Sequence, residues 1–138
     1  MQDPTSIILI AHSVMLHHGD RSFRVARRVD PLGLRTLVAV TKIDLMDPQY
    51  DCKHMLLNKV VYIQYGHIGV VNRCESDFER EKRENFFTKH PVYSQMPQNL
   101  FGVKALIAKL TSIQLLRIRP NMQHIVREIR DKLAESEK

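Results

Sequence analysis

The chain has 138 residues, a net charge of +6, and 43% hydrophobic and 26% charged residues. That balance supports one ordinary domain with a real core and excludes a disordered, collagen-like or linker-rich polypeptide. The most apolar run, residues 7–11, is far shorter than the roughly 20 residues that cross a bilayer.

The start, Met1-Gln-Asp-Pro, lacks the basic-then-apolar pattern of a secretory signal. Cys52 and Cys74 form neither a disulfide framework nor a metal motif, and read as reduced thiols of a cytosolic protein. Residues 6–11, Ser-Ile-Ile-Leu-Ile-Ala, predict a strand buried on both faces, as in a parallel sheet. His17-His18 have no carboxylates at ligand spacing, so no metal site is expected there. Residues 20–29 predict a helix with Phe23, Ala26 and Val29 on the buried side. Arg21, Arg24 and Arg28 share another face of it, with Arg27 adjacent. Such a face suits an acidic partner, either lipid headgroups or nucleic acid, but an ordinary solvated surface is the weightier reading. No aromatic residue is interleaved to stack on bases, so nucleic acid is not an expected partner.

Asp30-Pro31-Leu32-Gly33 is turn chemistry. Residues 35–41 predict a second buried strand, with Leu37, Val38, Ala39 and Val40, and Asp47-Pro48 opens a loop. Residues 51–62 predict a helix with Cys52, Leu56 and Val60 on one face, and residues 66–71 a third strand that ends in Asn72-Arg73. Strand, helix, strand, helix, strand at this spacing is the pattern of a parallel α/β sheet. A charged helix is expected over residues 76–90, with Glu79 and Arg83 paired and Pro91 as its stop. Pro97 and Gly102 mark a loop. Residues 100–118 predict another helix, Pro120 a break or kink, and Asn121 the N-cap of a last helix. In that helix Met122, Ile125, Val126, Ile129 and Leu133 form one apolar stripe, which needs either the domain's own core or a helical partner.

Ligands of open parallel sheets bind at the carboxyl ends of the strands. Two polar tips fall there, Thr41-Lys42-x-Asp44 and Asn72-Arg73. Guanine presents two donors, N1–H and the 2-amino group, on one edge. A carboxylate such as Asp44 accepts both at once, and adenine offers no such pair. Lys42 can lay its methylene stem along the base face, and Thr41 can tie the loop to neighbouring backbone. The competing reading of Asp44 is a helix or turn cap.

Four segments then stand in order: Val29-Asp-Pro-x-Gly-x-Arg-Thr36, Thr41-Lys-x-Asp-Leu-Met-Asp47, Gly66-x-Ile-Gly-Val-Val-Asn-Arg73 and Phe86-Phe-x-x-His-Pro-x-Tyr93. Together they resemble the dynamin superfamily of large GTPases, over nearly the whole chain. The resemblance implies an α/β fold, a partial P-loop-GTPase-type parallel sheet with flanking helices followed by C-terminal helices. It implies that residues 1–118 are the C-terminal half of the GTPase domain and residues 119–138 a helix leading into the bundle or stalk region. Lys42 and Asp44 match the family's guanine contacts, and Asp47 a position that reaches the nucleotide of a partner GTPase domain. Asn72 and Arg73 match the second base-and-ribose loop. Pro48-Gln49 stand where the family has Glu-Gly, Cys74 where it usually has Ser, and Glu75 where it usually has Gln; Glu75 is an acceptor-only carboxylate in place of an amide. The stretch between Asp77 and Phe86 is shorter than usual.

The resemblance further implies GTP or GDP as ligand, with Mg²⁺ only for the complete GTPase domain. The activity it implies for the complete protein is GTP hydrolysis coupled to self-assembly that remodels or divides membranes. The implied partners are another copy or a dynamin-family relative, with membrane lipids and microtubules reached through the complete protein. The implied location is cytoplasmic and peripherally membrane-associated. The phosphate-binding motif G-x-x-x-x-G-K-[ST] does not occur in the sequence. Asp30-Pro-Leu-Gly33 imitates the D-x-x-G switch but precedes a strand instead of following one. Since the P-loop lysine, Mg²⁺ and water-positioning groups supply most of the catalysis in phosphoryl transfer, no catalytic residue is assigned and only feeble nucleotide binding by this chain alone is expected. The alternative is a catalytically inactive interaction module that docks through its last helix on a full-length relative; a third reading is a basic nucleic-acid-binding α/β domain.

Overall fold

The computed structural model describes residues 6–15, 20–72 and 85–136. Among the described residues three parallel strands form the sheet: β1 (Ile8–Ser13), β2 (Thr36–Thr41) and β3 (His67–Val70), in the order β1-β2-β3. The helices include α1 (Arg21–Val29), a short α2 (Lys53–Leu56) and a long α3 (Gly102–Ser136). The chain is therefore an α/β protein. Its described residues divide into two compact units, 1–106 and 107–138.

β2 is central because its run Leu37-Val38-Ala39-Val40 is apolar on both faces, and all four residues are buried. The register Ile10↔Val38↔His67 and His12↔Val40↔Gly69 puts these residues on one sheet face. There they meet Phe23 and Ala26 of α1 and Met55 and Leu56 of α2 in one core. On the other face Leu37, Ala39, Ile68 and Val70 are buried, whereas Leu9 is 46% exposed and Ala11 is exposed. This corrects the expectation of a first strand buried on both sides and ending at Ala11. β1 runs on to Ser13, and its residues Leu9 and Ala11 find no covering layer among the described residues, whereas β3, also at an edge of the sheet, is buried on both faces.

α1 begins at Asp20, whose Oδ1 accepts the Phe23 N–H at 3.1 Å. It ends at Asp30, whose own N–H bonds the Ala26 carbonyl at 2.8 Å. The turn at 30–33 forms as its sequence predicts, with Gly33 at φ +64°. The Asp30 carboxylate then seats the start of β2. It accepts the N–H groups of Leu34 and Arg35, both at 3.0 Å, and the Thr36 hydroxyl at 2.6 Å. The Arg35 guanidinium in turn donates to the carbonyl and hydroxyl of Ser6 and to the Val29 carbonyl. This network ties the entries of β1 and β2 to the end of α1.

The helix expected over residues 51–62 is cut to the four residues of α2. Asn58 takes the left-handed conformation, φ +61°, which ends a helix. Its side chain clasps Ile63, accepting the Ile63 N–H and donating to its carbonyl, both at 2.9 Å. Val60 is consequently exposed instead of sharing a buried face with Leu56. Of the charged helix expected over 76–90, residues 85–89 are helical, and Glu79 and Arg83 lie outside the described residues.

α3 runs without interruption through Pro120, and Asn121 is interior to it, not an N-cap. A proline inside a helix forfeits one hydrogen bond and costs about 3 kcal/mol; here long helical stretches on both sides outlast that local loss. Every residue from Ile118 to Ser136 is exposed, including the whole stripe of Met122, Ile125, Val126, Ile129 and Leu133. No helix among the described residues is long and apolar enough to cross a membrane.

Candidate functional site

β2 and β3 are parallel and in register through Thr41↔Val70, so their carboxyl ends open at the same edge of the sheet. The two polar tips leave from this edge. Thr41 donates its hydroxyl to the His12 carbonyl at 3.2 Å, which fastens the end of β2 to β1. Lys42 then turns the chain sharply in the left-handed conformation, φ 60° and ψ 30°. This is an unusual conformation for a residue with a long side chain, and it persists where surrounding structure enforces it.

The enforcement comes from the next residue. Ile43 opens a 3-10 turn, Ile43–Leu45, and its side chain is buried in the core. The turn closes with Leu45 N–H to the Lys42 carbonyl at 3.0 Å and Met46 N–H to the Ile43 carbonyl at 3.2 Å. Below it lies Gly69 of β3. A Cβ at Gly69 would stand 2.7 Å from the Ile43 Cδ1 and 3.2 Å from the Phe101 ring, so only glycine lets Ile43 sit this deep. With Ile43 anchored inward, Lys42 and Asp44 on either side of it are exposed. Among the described residues the Asp44 carboxylate accepts no hydrogen bond and caps no turn, in contrast to the competing reading of it as a helix or turn cap.

Asp47 is exposed beyond this turn, and its Oδ1 accepts the Gln49 N–H at 3.0 Å. Asn72 is exposed two residues past the end of β3. The sheet thus brings Thr41, Lys42, Asp44 and Asn72 to one end, with Asp47 on the following loop. Arg73, Cys74 and Glu75, like His17 and His18, lie outside the described residues. Among the described residues no three His, Cys, Asp or Glu side chains group in a way that could hold a metal ion.

Support for the loop after Asp47 comes from residues whose role the sequence did not disclose. The Tyr93 hydroxyl accepts the Cys52 N–H at 3.1 Å and lies 3.3 Å from the Cys52 Sγ, which fixes the start of α2. Tyr93 is itself packed by His90, with stacked rings 4.1 Å apart, and by Phe86, Phe87 and Phe101. The His90 Nδ1 accepts the Val92 N–H at 3.2 Å. The motif Phe86-Phe-x-x-His-Pro-x-Tyr93 is therefore a structural clamp under the loop. Burial pushes the Cys52 thiol up to about 11, against a weaker opposing effect of the Tyr93 hydrogen bond, so Cys52 is a buried thiol and not a nucleophile.

Asp30 and Gly33, the imitation of a switch motif, are at the amino-terminal end of β2, away from both tips. Burial alone would raise the Asp30 carboxyl. The hydrogen bonds from Thr36, Arg35 and Leu34, with the Arg35 charge, outweigh it and hold the carboxyl below its usual range. Its oxygens are committed to the fold.

These features define an α/β protein with a polar loop site at the carboxyl edge of a parallel sheet. Comparison with known proteins gives it a family. The profile of the dynamin central region matches residues 51–138. Dynamin-related protein 3A of Arabidopsis thaliana is 38% identical over 106 residues, 71% of this chain and 13% of that protein. Human Dynamin-2 is 34% identical over 125 residues, 85% of this chain and 14% of that protein. Vacuolar protein sorting-associated protein 1 of Schizosaccharomyces pombe is 36% identical over 120 residues, 81% of this chain and 18% of that protein. The chain belongs to the dynamin family, and it spans less than a fifth of the length of these relatives.

Proposed function

We propose that this chain carries the base-reading part of a guanine-nucleotide site, within a dynamin-like GTPase whose phosphate-binding motif is not in this sequence. The observation that carries the proposal is the loop at the end of β2. It holds Asp44 as an exposed carboxylate with no hydrogen bond among the described residues, directly after a buried anchor, Ile43, and at the same end of the sheet as the tip of β3. Asp44 accepts the two guanine donors, Lys42 covers the base face, and Asn72 with Arg73 contacts base and ribose. Thr41 holds the loop to β1, and Asp47 faces a nucleotide bound across a dimer. The ligand is GTP or GDP, with Mg²⁺ required only once the phosphate half is present. In the complete protein the site serves GTP hydrolysis coupled to self-association and membrane remodelling or fission, at the cytoplasmic surface of a membrane.

Fluorescent GDP and GTP titrated into the chain test this. Binding weaker than about 1 μM, a threshold of about −8 kcal/mol, is expected, since the phosphate contacts are missing, and Asp44→Ala abolishes it. Unchanged binding by the variant would refute the assignment of Asp44.

A second reading is favoured by a separate observation. Every residue of the stripe on α3 is 40–55% exposed, as an interaction module that docks through this helix on a dynamin-like partner requires.

A further inference from the structure

A groove of about 460 Å³ opens at the other end of the sheet from the polar tips. Its floor is Ile10, Phe23 and Ala26, one wall is the turn at 30–33 and the other is the stretch 60–63. Both walls are fixed before anything binds. Asp30 holds the first through its three hydrogen bonds. The Asn58–Ile63 clasp holds the second, and Gln64 N–H to the Gly33 carbonyl at 2.9 Å joins the two. The rim is apolar and open to solvent: Leu32 is 72% exposed and Tyr62 is 66% exposed, with Val60 beside them.

The charge around this groove has one sign. At about 100° per residue along α1, Arg27 lies next to the floor residues, and Arg24, Arg28 and Arg21 follow round the same flank. All four are exposed and form no ion pair with described residues. Exposed Lys59, next in sequence to the opposite wall, adds a further cation, and residues 31–34 and 57–64 contain no acidic residue. Asp30, the one carboxylate in the lining, is spent on the backbone of the turn.

We propose that this groove is a docking site for an acidic peptide segment of a partner protein that carries one or two large apolar side chains. The apolar side chains enter the groove between Leu32 and Tyr62, and the acidic residues lie along the arginine flank of α1. A preformed pocket spares the ordering cost of binding, and the exposed cations, without ion pairs among the described residues, provide attraction and orientation. A concave site of this size receives inserted side chains, whereas a lipid surface is met by a convex one. The site is independent of nucleotide, because it lies at the amino-terminal ends of β2 and β3.

The test uses the full chain and three labelled 12-residue peptides read by fluorescence anisotropy. One combines Glu with two Leu and a Phe, one has Ala for those three apolar residues, and one has Lys for Glu. The first is expected to bind and the other two to bind at least about tenfold more weakly. The variants Arg24→Glu/Arg27→Glu and Leu32→Ala/Tyr62→Ala alter exposed side chains only, and each is expected to weaken the first peptide about tenfold with an unchanged circular dichroism spectrum. Failure of the first peptide to bind, equal binding of the Ala peptide, or no effect of both variants would overturn the proposal. Binding to anionic phospholipid vesicles or to single-stranded RNA, without binding to the first peptide, would overturn it as well. Asp44→Ala leaves peptide binding unchanged, so failure of the nucleotide reading and failure of this one are separable.

Discussion

Gly69→Ala tests how the base-reading loop is seated. The added Cβ would be 2.7 Å from the Ile43 Cδ1 and 3.2 Å from Phe101 Cδ1, where ordinary carbon contacts are about 3.5–4.0 Å. Ile43 is 2% exposed and Phe101 7% exposed, so neither can swing into solvent. Overpacking of this kind costs about 1–3 kcal/mol. The backbone of Gly69 is not in the left-handed region, so alanine recovers up to about 1 kcal/mol through lower chain entropy in the unfolded state. A net loss of about 1–2 kcal/mol is expected, measured by urea unfolding. Ile43→Val removes the very methyl that clashes. Alone it costs about 0.5–1.5 kcal/mol, but in the Gly69→Ala background it is expected to be neutral or stabilising, a coupling of about 1 kcal/mol. A neutral Gly69→Ala, or strict additivity of the two changes, would refute the picture of Ile43 as the anchor that presents Asp44.

Tyr93→Phe leaves the buried Cys52 N–H without its acceptor and is expected to cost about 1–3 kcal/mol in chemical unfolding. Asp30→Asn removes a charge-assisted acceptor of three hydrogen bonds, with an expected loss of about 1–3 kcal/mol at neutral pH. Because the Asp30 carboxyl is held below its ordinary 3.8, its contribution is present above that value and is lost as pH falls through the folded-state value. The difference between wild type and Asp30→Asn should therefore shrink on acidification below about 3.8; a constant difference across that range would contradict the network. Met122→Lys/Ile129→Lys changes two exposed positions of α3 and should alter the stability of the chain by no more than about 0.5 kcal/mol each. A larger loss in a thermal melt would mean that the stripe is packed.

The parts of this fold most legible in the sequence are those where composition leaves one solution. The run Leu37–Val40 is apolar on both faces and must be an interior strand, and the lysine and aspartate that follow it must then emerge at a carboxyl edge. Asp30-Pro-Leu-Gly33 announced a turn for the same reason. The short α2 was not legible, because helical spacing of Cys52, Leu56 and Val60 says nothing of the left-handed Asn58 and its clasp on Ile63, a contact with the backbone that pattern does not encode. Nor does an apolar run such as residues 7–11 reveal whether both of its faces are covered. Pro120 disfavours a helix locally, but the cost of one lost hydrogen bond does not decide the fate of 35 residues. At the site, the motif residues were visible while their support was not. Gly69 beneath Ile43 and Tyr93 beneath Cys52 are far apart in sequence from the loop they hold.

Discrimination between guanine and adenine is the most direct measurement of the central claim. Amide NMR spectra of the chain with millimolar GDP are expected to show shifts at Lys42, Ile43, Asp44 and Asn72, with none from ADP at the same concentration, and Asp44→Ala is expected to erase the GDP shifts. Equal shifts from GDP and ADP, or GDP shifts that persist in Asp44→Ala, would contradict it.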